Sequence, residues 1–144
     1  MKGWLKTNLI VTLLLIAPAI GGAEGEEFGD YSSETLTTRA WQALETGDYD
    51  LTLTFTNKCI QLYTKDAIKQ QDRLSRFAPK EQAFDYWALN DVGTCYFIMG
   101  EAYLANGERD LAITNYEMAM RLDPNGRIGA NAARMLKQIQ ERSP

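Results

Sequence analysis

Residues 93–124 constrain the fold of this chain more than any other stretch, because they have the pattern of two amphipathic helices joined by a tight turn. Apolar and small residues recur at three- and four-residue intervals in each half, which places them on one face of a helix. Asn106 and Gly107 lie between the halves and tolerate positive φ, so they predict a helix end and a reversal of the chain. Pro124 ends the second half because it cannot donate the next backbone hydrogen bond.

Small and bulky side chains alternate within these two helices, as expected where two backbones approach closely. The pattern resembles the tetratricopeptide repeat, in which an aromatic residue, a leucine-glycine pair, a tyrosine, an alanine, a second aromatic residue and a closing proline hold fixed positions. Those positions are held here by Tyr96, Met99-Gly100, Tyr103, Ala112, Tyr116 and Pro124. The resemblance implies an all-α fold of antiparallel helical hairpins that stack as a short solenoid.

A weaker copy of the same pattern precedes the first by 60 residues, since Gly47-Asp48-Tyr49 parallels Gly107-Glu108-Arg109. It predicts a hairpin over residues 34–76, with Ser32 or Ser33 as the helix cap and Glu34 in the first turn. Residues 51–56, LTLTFT, alternate as a strand would. We predict a helix there, because apolar residues continue at helical spacing beyond this stretch.

The second hairpin is predicted over residues 83–124, after a break near Pro79, and a capping helix over residues 128–142. This organisation gives a helical domain at residues 34–144 with five helices. An aromatic cluster of Phe84, Tyr86 and Trp87 opens the second hairpin. Its composition is consistent with packing in the core or with a surface for a ligand or partner.

The N-terminal 23 residues have the anatomy of an export signal. Lys2 and Lys6 precede an apolar run at 9–20, and small residues follow it. The run would span about 18 Å as a helix, less than the roughly 30 Å of a bilayer core. We predict cleavage near Ala23, and an uncleaved membrane anchor is the alternative, with Trp4 at the interface. Residues 24–33 are acidic and glycine-containing, which predicts a linker.

The composition argues against nucleic-acid binding and against most kinds of enzyme or metal site. The chain has 15 Lys and Arg against 19 Asp and Glu, a formal charge of −4, and this small bias predicts no nucleic-acid partner. Histidine is absent, which removes the commonest side chain for proton transfer and metal binding. No phosphate-binding loop, nucleophile elbow or metal-spaced cysteine set is present, so we predict neither enzyme activity nor a cofactor. Asp85, Asp91 and Glu101 are the carboxylates that a glycosidase-type alternative would use.

Cys59 and Cys95 are the two cysteines of the chain. An exported protein meets an oxidising compartment, and the two residues fall on consecutive predicted helices, so they could form a disulfide. Both also stand where a small apolar residue would serve the core, and that interpretation stays open.

The resemblance also implies a mode of action, since tetratricopeptide-like proteins bind a peptide or a subunit along the face made by the first helix of each hairpin. The residues of this chain at those positions are Trp41, Leu44, Glu45, Phe97, Glu101, Leu104 and Ala105. Exposed aromatic and leucine side chains there would anchor a partner, with Glu45 and Glu101 favouring basic or amide-bearing partners.

The sequence therefore predicts an exported scaffold or adaptor of the bacterial envelope, periplasmic or extracellular, that binds a protein or peptide. A small structural subunit of a membrane complex, anchored by an uncleaved N-terminal helix, is one alternative. An envelope enzyme acting on cell-wall or other glucans is another.

Overall fold

The computed structural model describes residues 27–74 and 85–142. Between Ser33 and Glu141 the described residues form five α-helices and no strand. The helices are α1 (Ser33–Glu45), α2 (Tyr49–Asp72), α3 (Trp87–Ala105), α4 (Arg109–Leu122) and α5 (Arg127–Glu141). The all-α class predicted from the sequence is therefore confirmed.

The start of α1 follows the predicted cap, but the segment before it is not a linker throughout. The hydroxyl of Ser32 accepts a hydrogen bond from the backbone N–H of Thr35 at 3.2 Å. Upstream, Phe28 is only 8% exposed and meets Phe55 of α2 edge-on, with ring centroids 6.0 Å apart. Residues 28–31 thus belong to the helical domain, because burial of an aromatic ring outweighs the acidic composition around it. Residues 24–26 of the predicted linker lie outside the described ranges.

Threonine side chains explain how a strand-like sequence forms the first half of α2. Thr52 and Thr56 are fully buried, and each donates its hydroxyl to the carbonyl four residues earlier, at 2.7 and 2.9 Å. This bond satisfies a buried hydroxyl inside a helix without any partner on another element. Residues 51–56 are therefore helical, as we predicted, and their buried side chains are Thr52, Phe55 and Thr56, at the three- and four-residue spacing of one helix face.

The end of α2 supports the start of α3. The Gln70 side chain is buried, and its oxygen accepts the backbone N–H of Leu89 at 2.9 Å, which satisfies a donor in the uncapped first turn of α3. Helix α2 ends at Asp72, before the predicted residue 76, and α3 begins at Trp87, after the predicted residue 83. The remainder of the connection, residues 75–84 with Pro79 and Phe84, lies outside the described ranges.

The turns after α1 and after α3 have the same hydrogen bonds. Gly47 and Gly107 adopt φ of +76° and +80°, a region that costs glycine little. The residue after each glycine donates its backbone N–H to the carbonyl five residues earlier. Asp48 donates to Ala43 at 2.9 Å, and Glu108 donates to Tyr103 at 2.8 Å. This is the Schellman arrangement, which satisfies the last carbonyls of a helix and reverses the chain.

Helix α3 is the centre of the domain. It packs against α1, α2, α4 and α5, and ten of its 19 residues are buried. A helix that contributes to the core on several sides is expected to be apolar around most of its circumference. Cys95 and Ile98 pack with α1 and α2, Phe97 packs with α4 and α5, and Leu89 packs with the end of α2.

Helix α5 is held at its start by one buried carboxylate. Asp123 accepts the backbone N–H groups of Ile128 and Gly129 on the same oxygen, at 2.9 and 3.1 Å. The Asp123 side chain thereby caps a helix that begins four residues downstream, across Pro124 and the following turn. The capping fixes where α5 lies against α4, and the predicted final helix at 128–142 is present within one residue at each end.

No helix in the described ranges is both long enough and apolar enough to cross a bilayer. The predicted signal peptide or anchor, residues 1–23, lies outside those ranges.

Candidate functional site

The residues predicted to bind a partner lie on α1 and α3 with three degrees of exposure. Glu45 and Ala105 are exposed, Phe97 is buried, and the others are half-buried. Trp41 on α1 contacts Phe97 on α3, with ring centroids 6.1 Å apart. Packing between α1 and α3 thus brings the two predicted sets of residues together.

Phe97 is a core residue and not an exposed anchor. Its side chain is 7% exposed and lies between Trp41 on one side and Tyr116 on the other, the latter with ring centroids at 5.7 Å. The expectation that Phe97 offers its ring to a partner is therefore corrected. Helical spacing alone does not distinguish the two roles, because the face of α3 that carries Phe97 is covered by α1 and α4.

Glu101 has an internal partner. The hydroxyl of Tyr116 donates to its carboxylate at 2.7 Å. Burial raises the pKa of the Tyr116 phenol, and the hydrogen bond and charge of Glu101 raise it further. A carboxylate that accepts a buried phenol hydrogen bond is held in one orientation. Glu101 therefore positions α4 against α3, which was not anticipated for a residue expected to select the partner.

A pocket of about 310 Å³ lies where the turn between α3 and α4 meets the end of α5. It is lined by Leu104, Gly107, Arg109, Met135, Gln138, Ile139 and Arg142. Leu104, Met135 and Ile139 give it an apolar floor, and Arg109 and Arg142 provide positive charge. We call this site the Arg109 pocket.

Hydrogen bonding fixes one arginine of the Arg109 pocket. The Arg109 guanidinium donates through Nη2 to the carbonyl of Ile139 at 2.5 Å, near the carboxyl end of α5. A cation there is favoured by the helix dipole. Sequence reasoning anticipated Leu104 alone among the lining residues as part of a binding site. The apolar spacing of α5 marks Met135 and Ile139 as inward-facing, but it does not say which helix they meet.

No known protein family, curated protein or solved structure matches this chain. Its function is therefore inferred from the surface that its own residues form.

Two of the three carboxylates of the glycosidase alternative, Asp91 and Glu101, are too far apart to act as a catalytic pair. Asp91 and Glu101 lie on the same helix ten residues apart, which corresponds to about 15 Å along its axis, whereas paired glycosidase carboxylates are about 5–9.5 Å apart. Asp91 accepts a hydrogen bond from Ser33 of α1. Burial raises the pKa of Asp91, while the bond from Ser33 opposes that rise. Asp85 is exposed just before α3.

Cys59 and Cys95 are free thiols in this structure, so the disulfide that the sequence leaves open is not formed here. Both side chains are completely buried in the cluster between α1, α2 and α3. Hydrogen bonding to Cys59 raises the pKa of Cys95 well above its ordinary value, and burial adds to that rise. Burial shields both thiols from reagents, and the raised pKa of Cys95 lowers the fraction of its thiolate, which is the nucleophile. The alternative interpretation, in which both cysteines serve as small core residues, describes their environment.

The aromatic cluster at the start of α3 has a mixed environment. The Trp87 ring meets the Tyr63 ring of α2 edge-on, with ring centroids 5.3 Å apart, and the Trp87 side chain is 43% exposed. Tyr86 packs beside the buried residues Ala88 and Leu89. Phe84 lies outside the described ranges. In the part of the chain that the structure describes, no group of three or more acidic, cysteine or histidine side chains is placed to hold a metal ion.

Proposed function

We propose that this protein is an adaptor of the bacterial envelope that binds a segment of a partner protein along the face formed by α1, α3 and α5. The observation that carries the proposal is a set of half-exposed apolar side chains, one from each of these helices. Trp41, Leu104 and Met135 all pack against the same buried cluster while keeping part of their surface accessible. We call this surface the α1–α3–α5 face.

Rigidity favours the α1–α3–α5 face as a binding surface. Trp41 rests on the buried ring of Phe97, which in turn rests on Tyr116. Side chains held by such contacts lose little conformational freedom when a partner binds, so more of the contact energy contributes to affinity. Accessible aromatic and aliphatic side chains on a supported surface are the usual anchors of protein interfaces.

Several contacts support a tetratricopeptide-like solenoid as the scaffold for this face. The turns at Gly47 and Gly107 have matching hydrogen bonds at a 60-residue offset. The alternate helices α1, α3 and α5 also lie side by side, since α3 contacts both α1 and α5. Gly100 and Tyr116, which hold two of the size-restricted positions of the repeat, face each other between α3 and α4.

The N-terminal sequence supports an envelope location, either after export or with residues 1–23 retained as an anchor. An anchored chain would act as a small subunit that holds a partner at the membrane. Both forms use the same α1–α3–α5 face, so they are variants of one proposal.

Site-specific photocrosslinking in the native cell tests the proposal. A photoreactive residue is placed at Leu104, on the α1–α3–α5 face, or at the exposed Leu62 of α2, which contributes nothing to that face. We expect a discrete adduct of defined mass from position 104 and none from position 62, and Trp41→Ala should reduce its yield. Equal adducts at both positions, or none at position 104, would contradict the proposal.

A further inference from the structure

The Arg109 pocket lies at one end of the α1–α3–α5 face and has a distinct chemistry. Three apolar residues from two helices form its floor, Leu104 of α3 with Met135 and Ile139 of α5. Its volume of about 310 Å³ is at the lower end of the roughly 300–1,000 Å³ found for ligand pockets. A site of this size suits one or two side chains of a partner.

The charged side chains that line the pocket have one sign. Among the described residues, its lining contains the guanidinium groups of Arg109 and Arg142 and no carboxylate side chain. The nearby Glu141 pairs with Lys137 at 3.8 Å, one turn back on the outer surface of α5. A basic site stands out on a chain whose formal charge is −4. Complementary charge is what selects the partner and its register at such a site.

The position of Arg109 is not explained by the helix that carries it. It is the first residue of α4, where the helix dipole disfavours a cation. The equivalent residue of the first hairpin, 60 positions earlier, is Tyr49. The bond from Arg109 to the carbonyl of Ile139 instead turns the guanidinium toward α5 and holds it beside the apolar floor.

We propose that the Arg109 pocket binds an acidic and hydrophobic peptide segment, with an apolar side chain against Leu104, Met135 and Ile139 and a neighbouring Asp or Glu against Arg142 and Arg109. This inference rests on the proposed function and specifies its partner. It reverses the expectation from Glu45 and Glu101, because Glu101 is bonded to Tyr116, whereas the two arginines border an apolar recess at the end of this face.

The test is selection from a random twelve-residue peptide library displayed on phage against the immobilised full chain. We expect enriched sequences to place Asp or Glu within two residues of Leu, Ile, Met or Phe. A synthetic peptide of the enriched sequence then provides the probe for fluorescence polarisation.

Arg142→Gln should weaken binding of that peptide by about 10-fold, because one charge-assisted hydrogen bond to the peptide carboxylate is lost. Met135→Ala should also weaken it, since part of the apolar floor is removed. Arg127→Gln is the matched control, because it removes the same charge from the other end of α5 and lies outside the pocket lining. Circular dichroism of each variant identifies any loss of folding.

Enrichment of basic or uncharged sequences would overturn the inference and leave the proposed function standing. Absence of any enrichment would count against both. A third arm mixes the full chain with phosphatidylglycerol vesicles, and sedimentation that is lost in Arg142→Gln would identify a lipid as the occupant and also overturn the inference.

Discussion

A Cβ atom on Gly100 would lie 2.6 Å from Cε1 of Tyr116, closer than non-bonded carbon atoms approach in proteins. The Tyr116 ring is fully buried and its hydroxyl is bonded to Glu101, so it cannot move aside freely. Glycine at position 100 therefore sets the separation of α3 and α4.

The first prediction concerns this contact. Gly100→Ala should lower the free energy of unfolding by about 1–3 kcal/mol, because overpacking outweighs the better helix propensity of alanine. Gly93→Ala is the matched control on the same helix, since its Cβ would lie 3.5 Å from Cβ of Leu122, an ordinary contact. We expect that control to stabilise the protein by roughly 0.5–1 kcal/mol. Urea unfolding of both variants measures the difference, and a neutral Gly100→Ala would show that the helices are not tightly apposed.

The second prediction concerns Asp91 and pH. Burial raises the pKa of Asp91 in the folded chain above its ordinary value of 3.8. A raised carboxyl pKa contributes stability below that ordinary value, and the contribution is lost as pH rises through the folded pKa. Asparagine keeps an oxygen that can accept the Ser33 bond and carries no charge. Asp91→Asn should therefore raise the urea midpoint at pH 7 and leave it close to wild type at pH 3.

Asp85→Asn is the control for that experiment. Because Asp85 is exposed, its substitution should change the urea midpoint little at either pH. A lower midpoint for Asp91→Asn at pH 7 would mean that the ionised carboxylate, and not the neutral acid, is the form that the fold favours.

The third prediction concerns the cap of α5. Asp123→Ala leaves the N–H groups of Ile128 and Gly129 without their acceptor, which should cost about 1–3 kcal/mol of stability. Hydrogen exchange should accelerate at those two amides and along α5 before it changes in α2. Asp110→Ala removes an exposed carboxylate from the first turn of α4 and should have a smaller effect. Equal loss from both variants would argue against a special role for Asp123.

The fourth prediction concerns the cysteines. Titration with a thiol reagent in 6 M guanidinium, about the concentration that unfolds most domains, should detect both Cys59 and Cys95 as free thiols. The folded chain should react far more slowly, since both side chains are fully buried and the pKa of Cys95 is raised. Detection of no thiol in the denatured chain would demonstrate the disulfide instead.

Much of the local structure follows from the sequence. Helical spacing predicts five helices, and it identifies a helix at 51–56 although residue preference favours a strand there. The turns at Gly47 and Gly107 and the cap at Ser32 depend on hydrogen bonds between residues near in sequence. Such interactions can be anticipated because both partners lie within one or two helical turns of each other.

Contacts between residues distant in the sequence decided several positions that local patterns do not indicate. Phe28 joins the core, although its neighbours are acidic, because α2 presents Phe55 to it. Phe97 is covered because α1 and α4 meet on its side of α3. The side-chain oxygen of Gln70, on α2, accepts the backbone N–H of Leu89 in the first turn of α3.

The sequence by itself determined that this chain forms helices and where most of them turn. Only the tertiary structure decided that Arg109, Arg142 and three apolar side chains of α3 and α5 surround one pocket. The physical reason is that a periodic pattern specifies a face of one helix, whereas a pocket depends on the separation and angle of several helices. Those quantities arise from contacts between residues distant in the sequence, such as Trp41 with Phe97 and Gln70 with Leu89.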